Sequence, residues 1–142
     1  MIVNMLSLIL FLIFTFLSSI HVYWAFGGRW GVEEAIPTKE NGTHSLKPPP
    51  IATLVVAAGL MIFAVLYALK TDYVNLDNSH RFYQISYWFI PSIFLLRAIG
   101  EFNYVGLFKK VKGTTFAKAD TKIFIPLCLS IGLIGILIQV LN

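Results

Sequence analysis

Ile2 to Phe26 is a run of 25 residues without a single Asp, Glu, Lys or Arg. A helix of about 20 mainly apolar residues is enough to cross a hydrocarbon core of about 30 Å. Three further runs have the same character: Ile51 to Leu69, Phe82 to Gly100 with only Arg97 interrupting it, and Ile123 to Leu141. In lipid, backbone groups must be satisfied internally, so only helices and closed barrels can span it. The runs are continuously apolar rather than alternating, which argues against barrel strands. The expected fold is therefore all-α: a single domain, 1–142, forming an integral membrane four-helix bundle with spans of about 2–26, 51–69, 82–100 and 123–141. Composition agrees. Apolar residues make up 57% of the chain and charged residues 13%, against about 45–50% and about 25% in soluble domains. That excludes an ordinary soluble domain and a disordered chain. The first run lacks a positive n-region and a clear small-x-small cleavage site, so it is expected to be a retained span rather than a signal peptide.

Punctuation supports the boundaries. Gly27, Gly28 and Gly31 break the first helix. Pro48-Pro49-Pro50 launches the second, since proline is tolerated in a first helical turn. Asn75 to Ser79 reads as a polar turn. Pro91 should kink the third span, and Pro126 should fall harmlessly in the first turn of the fourth. Basic residues give an orientation. Arg29, Lys39, Lys47, Arg97, Lys109, Lys110, Lys112, Lys118 and Lys122 fall on one side, and Lys70 and Arg81 on the other. The chain is expected in the cell membrane as a multi-pass protein, with both termini outside and loops 27–50 and 101–122 cytoplasmic. Tyr23, Trp24 and Trp30 would mark the inner interface. Tyr67, Tyr73, Tyr83, Tyr87 and Trp88 would mark the outer one.

A few residues could carry chemistry. Arg97 lies roughly 6 Å inside the end of its span at about 1.5 Å per residue. A charge there either has a partner or role or snorkels to the headgroups. Glu101, four residues on, would share its helix face. His21 follows Thr15, Ser18 and Ser19 and would lie at the same depth and side. It could act as a general acid or base, or simply pack against a neighbouring carbonyl. Trp24, Arg29 and Trp30 belong to the segment His21 to Gly31, either an interfacial turn or a lip over a ligand. Asp120 would meet the dipole of the fourth helix as a cap or join the same mouth. These seven residues, His21, Trp24, Arg29, Trp30, Arg97, Glu101 and Asp120, form the candidate ligand-binding set; no catalytic residue is assigned. Thr15/Ser19 and Ala64/Ala68 have the small-residue spacing of helix contacts.

The net charge is +4 with a pI near 9.3. Because the basic residues lie between apolar spans, the partners expected are the lipid bilayer and its anionic headgroups, not nucleic acid. A homo-oligomer is compatible with the sequence. The single cysteine, Cys128, excludes an intramolecular disulfide, a Cys-based zinc site and Cys-x-x-Cys-His haem attachment. No metal and no cofactor is expected. The Asn41-Gly-Thr43 sequon falls on the side placed in the cytoplasm and is discounted.

His21-Val-Tyr-Trp-Ala25 leading into Gly27-Gly-Arg-Trp-Gly31, Arg97-Ala-Ile-Gly-Glu101-Phe, and Asp120-Thr-Lys-Ile-Phe-Ile-Pro-Leu-Cys128 together resemble a bacterial family of small four-span membrane proteins classified only as a domain of unknown function. The resemblance covers most of the chain and implies the four-helix membrane architecture. It brings no substrate, cofactor or catalytic assignment. Three readings stay open: a protein binding or carrying a lipid-like or amphipathic ligand at a cytoplasmic-side pocket, a membrane enzyme acting on a lipid substrate through His21, Arg97 and Glu101, and a structural accessory subunit.

Overall fold

In the computed structural model, the structure describes residues 1–39, 41, 43, 48–74 and 80–141. The expected turn at Asn75 to Ser79 lies outside them. The fold is all-helical. Its helices are α1 (Ile2–Ala25), α2 (Val32–Ala35), α3 (Pro50–Leu69), α4 (Arg81–Ile99), α5 (Thr115–Ala119) and α6 (Ile125–Leu141), with a π-helical segment, Asp120–Phe124, joining α5 to α6. Three helical stretches are long and apolar enough to cross a membrane: Ile2–Ala25, Pro50–Leu69 and Thr115–Leu141. The third sequence run forms α4, a helix of 19 residues that is more polar than the others because it carries Arg81, Gln84, Arg97 and four hydroxyl-bearing side chains, Tyr83, Ser86, Tyr87 and Ser92.

The last helix differs from expectation at its start. It begins at Thr115, not near residue 123, and its N-cap is Thr114, whose hydroxyl accepts from the Ala117 N–H at 3.1 Å. Asp120 is therefore inside the helix and is not its cap. Pro126 likewise does not open the helix. It has no N–H to give the carbonyl four residues back, and the wider π turn lies over that same stretch. Pro91 sits within an unbroken α4.

Helices α1 and α3 run antiparallel along each other, and so do α4 and α6. The first pair is tied by the Ser18 hydroxyl, which donates to the Ala57 carbonyl at 2.8 Å, and by a hydrogen bond from the Asn4 amide to the Asp72 carboxylate. The second pair depends on glycine. A Cβ on Gly132 would lie 2.5 Å from the Leu95 side chain, and one on Gly135 would lie 2.7 Å from Pro91. Small residues let helix backbones approach where lipid supplies no hydrophobic drive. The working positions are Ser18, Ala57, Gly132 and Gly135 rather than Thr15/Ser19, whose hydroxyls bond back along α1. Ala64 is fully buried in the core.

The pairs meet around Phe14, which stacks on Tyr67 (ring centroids 5.8 Å) and contacts Phe63 (5.7 Å) and Phe94 (5.3 Å). Tyr67 and Tyr87 are 0% exposed, so they are core residues and not the interfacial anchors expected. Outward, Leu12, Phe16, Ile62 and Leu133 are exposed, the kind of apolar surface that marks an interaction or membrane face. The helices have two ends. The loop end holds the chain between α1 and α3 and between α4 and α5. The terminal end holds Met1, the α3–α4 connection and the end of α6.

Candidate functional site

Where α4 stops, the backbone makes an unusual closure. Gly100 and Gly106 adopt φ of +82° and +95°. A Cβ on Gly106 would lie 2.3 Å from the Ile99 carbonyl oxygen and 2.5 Å from the Gly100 Cα, so the two glycine backbones touch. Only glycine fits both the left-handed backbone and the contact. The loop is held by Leu107 N–H to Ala98 O at 2.9 Å, and by the Lys110 and Val111 N–H groups, each donating to the Asn103 carbonyl at 3.0 Å. This closure aims the Gly106 N–H and the Lys109 side chain at the helix that follows.

Their target is Asp120, which is 0% exposed. Its Oδ1 accepts from Arg97 Nη2 at 2.9 Å. Its Oδ2 accepts from the Gly106 N–H at 2.9 Å and from Lys109 Nζ at 3.1 Å. Lys109 Nζ also donates to Thr121 Oγ1 at 2.8 Å and to the Gly106 carbonyl at 3.2 Å. An ammonium has three donors, so Lys109 is saturated. Thr121 in turn donates to Ala117 O at 3.0 Å. A buried charge persists only when paired and hydrogen-bonded, and here both Asp120 and Lys109 are. The π turn carrying Asp120 is a form that recurs at functional sites.

Arg97 completes the cluster incompletely. One amino group, Nη2, is committed to Asp120, while Nη1 is buried and has no partner among the described residues. Two cations and one anion leave the cluster at net +1. Lys110, Lys112, Lys118 and Lys122, along the same stretch of chain, are exposed. The short helix α2 packs on α5, immediately before Asp120.

The other expected residues fall differently. Glu101 is exposed, and its carboxylate accepts from the Tyr104 N–H at 3.2 Å. The expected helical spacing to Arg97 does not exist, because α4 ends at Ile99 and Gly100 turns the chain away. Half-buried His21 has its Nδ1 2.7 Å from the Leu17 carbonyl; since a carbonyl only accepts, Nδ1 carries the hydrogen. Its ring lies edge-on to Trp24, 5.1 Å between centroids. This is the packed alternative for His21. No hydrogen bond or ring contact among the described residues joins it to Arg97 or Glu101. Trp24 Nε1 donates to the Trp30 carbonyl at 2.7 Å, closing the turn through Gly27 (φ +91°) and Gly31 (φ +74°). Arg29 and Trp30 are exposed on that turn. The set thus divides in two: His21, Trp24 and Trp30 are in contact within their own turn, and Arg97 is joined to Asp120.

Sequence reading missed Lys109, counted only as one of the topology-setting lysines, and the Gly100/Gly106 closure. The signal present was Asp120 itself, the one acidic residue in a stretch of five lysines between 109 and 122. Among the described residues no three His, Cys, Asp or Glu side chains gather to hold a metal. A shallow open groove lined by Arg81, Gln84, Ile85, Trp88, Phe89 and Ser92 lies on the outward face of α4, on the side chains its helical spacing groups together and not on those facing α6.

No curated protein and no solved structure matches the chain. One family does, over residues 14–135, a range that takes in Arg97, Gly100, Gly106, Lys109 and Asp120. The chain belongs to that family, described as "Protein of unknown function (DUF3995)".

Proposed function

We propose that this protein is a four-span membrane protein that binds the anionic head of a lipid-like or amphipathic ligand at its loop end, with both termini outside and loops 27–50 and 101–122 cytoplasmic. The observation that carries the reading is the buried, unpartnered Nη1 of Arg97. Leaving a donor unmade in the interior is costly, and a guanidinium fork suits phosphate or carboxylate oxygens. The exposed lysines along the same stretch of chain would draw such a head from solvent or from the headgroup layer. The turn from His21 to Gly31, followed by α2 resting on α5, supports the lip reading of that segment. Counting α4 as the fourth crossing is supported by its 19 residues, about 29 Å at 1.5 Å each, and by its antiparallel packing on α6. A reaction run by His21, Arg97 and Glu101 needs mutual hydrogen-bond reach, whereas the described bonds of His21 and Glu101 go to Leu17 and Tyr104.

The test is a thermal titration in phosphatidylcholine nanodiscs with increasing phosphatidylglycerol. The midpoint of the wild-type protein rises saturably. Arg97→Lys, which keeps one positive charge beside Asp120 but has no second amino group, loses most of that rise. An equal rise in both proteins overturns the reading.

A further inference from the structure

The terminal end of the core carries a second polar cluster, which the loop-end reading does not use. Tyr67 on α3 is fully buried, and its hydroxyl has no partner among the described residues. Ser7 on α1 is fully buried, and among the described residues neither its hydroxyl nor the buried Gln139 Nε2 on α6 has a partner. Neighbouring Tyr87 shows the ordinary outcome, since its hydroxyl donates to the Leu66 carbonyl at 2.9 Å.

These groups share one region. The Tyr67 Oη lies 3.1 Å from where a Cβ on Gly135 would be, so the hydroxyl lies close against the α6 backbone at that residue. Gln139 is one turn beyond Gly135 on the same helix, toward the terminal end. Ser7 is one turn beyond Leu10, which packs in the same core as Tyr67. A cation stands beside them. Lys70 is 8% exposed, and its Nζ sits 4.5 Å from the centre of the Tyr87 ring, which is 5.8 Å from the Tyr67 ring. Among the described residues Lys70 forms no ion pair. The nearby Asp72 carboxylate is taken by Asn4. Burial pushes the Lys70 ammonium below the usual lysine range.

Every unmet group at this end can donate. Among the described residues, none of these two hydroxyls, one amide and one ammonium is bonded to a carboxylate. A buried site of that kind is chemically complementary to an acceptor-only group. From these unpartnered donors on α1, α3 and α6, with Lys70 at the same end of the helices, we infer that the terminal end binds an oxyanion, a carboxylate or phosphate group, between α1, α3 and α6. This site does not rest on the reading of the loop end. The oxyanion could be free or could head an acyl chain lying against the helices, and the two are separable by experiment.

The experiment compares acetate, inorganic phosphate and oleate as ligands of the full-length protein in phosphatidylcholine nanodiscs, with chloride as the control and thermal midpoint as the readout. A saturable rise with any of the three, absent with chloride, is the expected result. Oleate alone giving the rise identifies an acyl-chain carboxylate; acetate or phosphate giving it identifies a free anion. Tyr67→Phe and Lys70→Gln each weaken the apparent affinity by about tenfold, while Ser92→Ala, on the outward face of α4, leaves it unchanged. Tyr67→Phe removes only an unpartnered hydroxyl, so its unliganded midpoint is equal to or above wild type, which separates lost binding from lost folding. The inference is overturned if no anion shifts the midpoint beyond chloride. It is equally overturned if Tyr67→Phe binds as wild type does, the result expected when ordered water alone satisfies these groups.

Discussion

At the loop end, polar groups are almost all spoken for; at the terminal end, several are not. Asp120 accepts from Arg97, Lys109 and the Gly106 amide, and every Lys109 donor is used. Ser7, Tyr67 and Gln139 have buried groups with no partner among the described residues. The contrast separates two uses of buried polarity. A satisfied network fixes where segments join, and here it pins the α4–α5 loop against the start of the last long helix. An unsatisfied one costs stability and is kept where something else completes it. Arg97 belongs to both cases, with one amino group in the network and one outside it.

Four substitutions test that division. Asp120→Ala should have the largest effect. It strands buried Lys109 and Arg97 without a counter-charge, a change that costs about 3–5 kcal/mol, and the thermal midpoint in detergent should collapse. Gly106→Ala comes next. A side chain at φ +95° against the Ile99 carbonyl adds backbone strain of about 1–3 kcal/mol, and its loss of midpoint should be accompanied by faster proteolysis between residues 101 and 113. Ser18→Ala removes the single bond to Ala57. Membrane helix hydrogen bonds average about 0.6 kcal/mol, so a denaturant titration should show a small, measurable loss. Tyr67→Phe, at the unsatisfied end, should cost nothing or stabilise the unliganded protein. If Tyr67→Phe proved as damaging as Asp120→Ala, the two ends would not differ as described.

Much of this architecture is readable from the chain. The helices follow from long uncharged runs, and α1, α3 and α4 begin and end within a residue of the runs that foretell them. The last helix is the exception. Its first two turns, Thr115 to Lys122, carry Lys118, Asp120 and Lys122, so hydropathy places the start too late and turns a buried acid into a supposed cap. Glu101 misleads for the opposite reason, since helical spacing counts through Gly100 as if the helix continued. Lys109 is hidden among other lysines, and only the Gly100–Gly106 contact singles it out. The terminal-end donors are harder still. Ser7, Tyr67 and Gln139 lie in three separate apolar runs, and their convergence depends on helix rotation, which continuously apolar spans leave unspecified because no polar face marks the inside.

The most direct test of the central contrast is a crystal structure of the protein grown from lipidic mesophase at a resolution that shows ordered water. The account predicts that Asp120 and Lys109 contact only protein, that non-protein density too large for water lies within hydrogen-bond distance of Arg97 Nη1, and that such density also lies beside Tyr67 Oη. Protein groups bonding Arg97 Nη1 and Tyr67 Oη, or single waters at both, would contradict it.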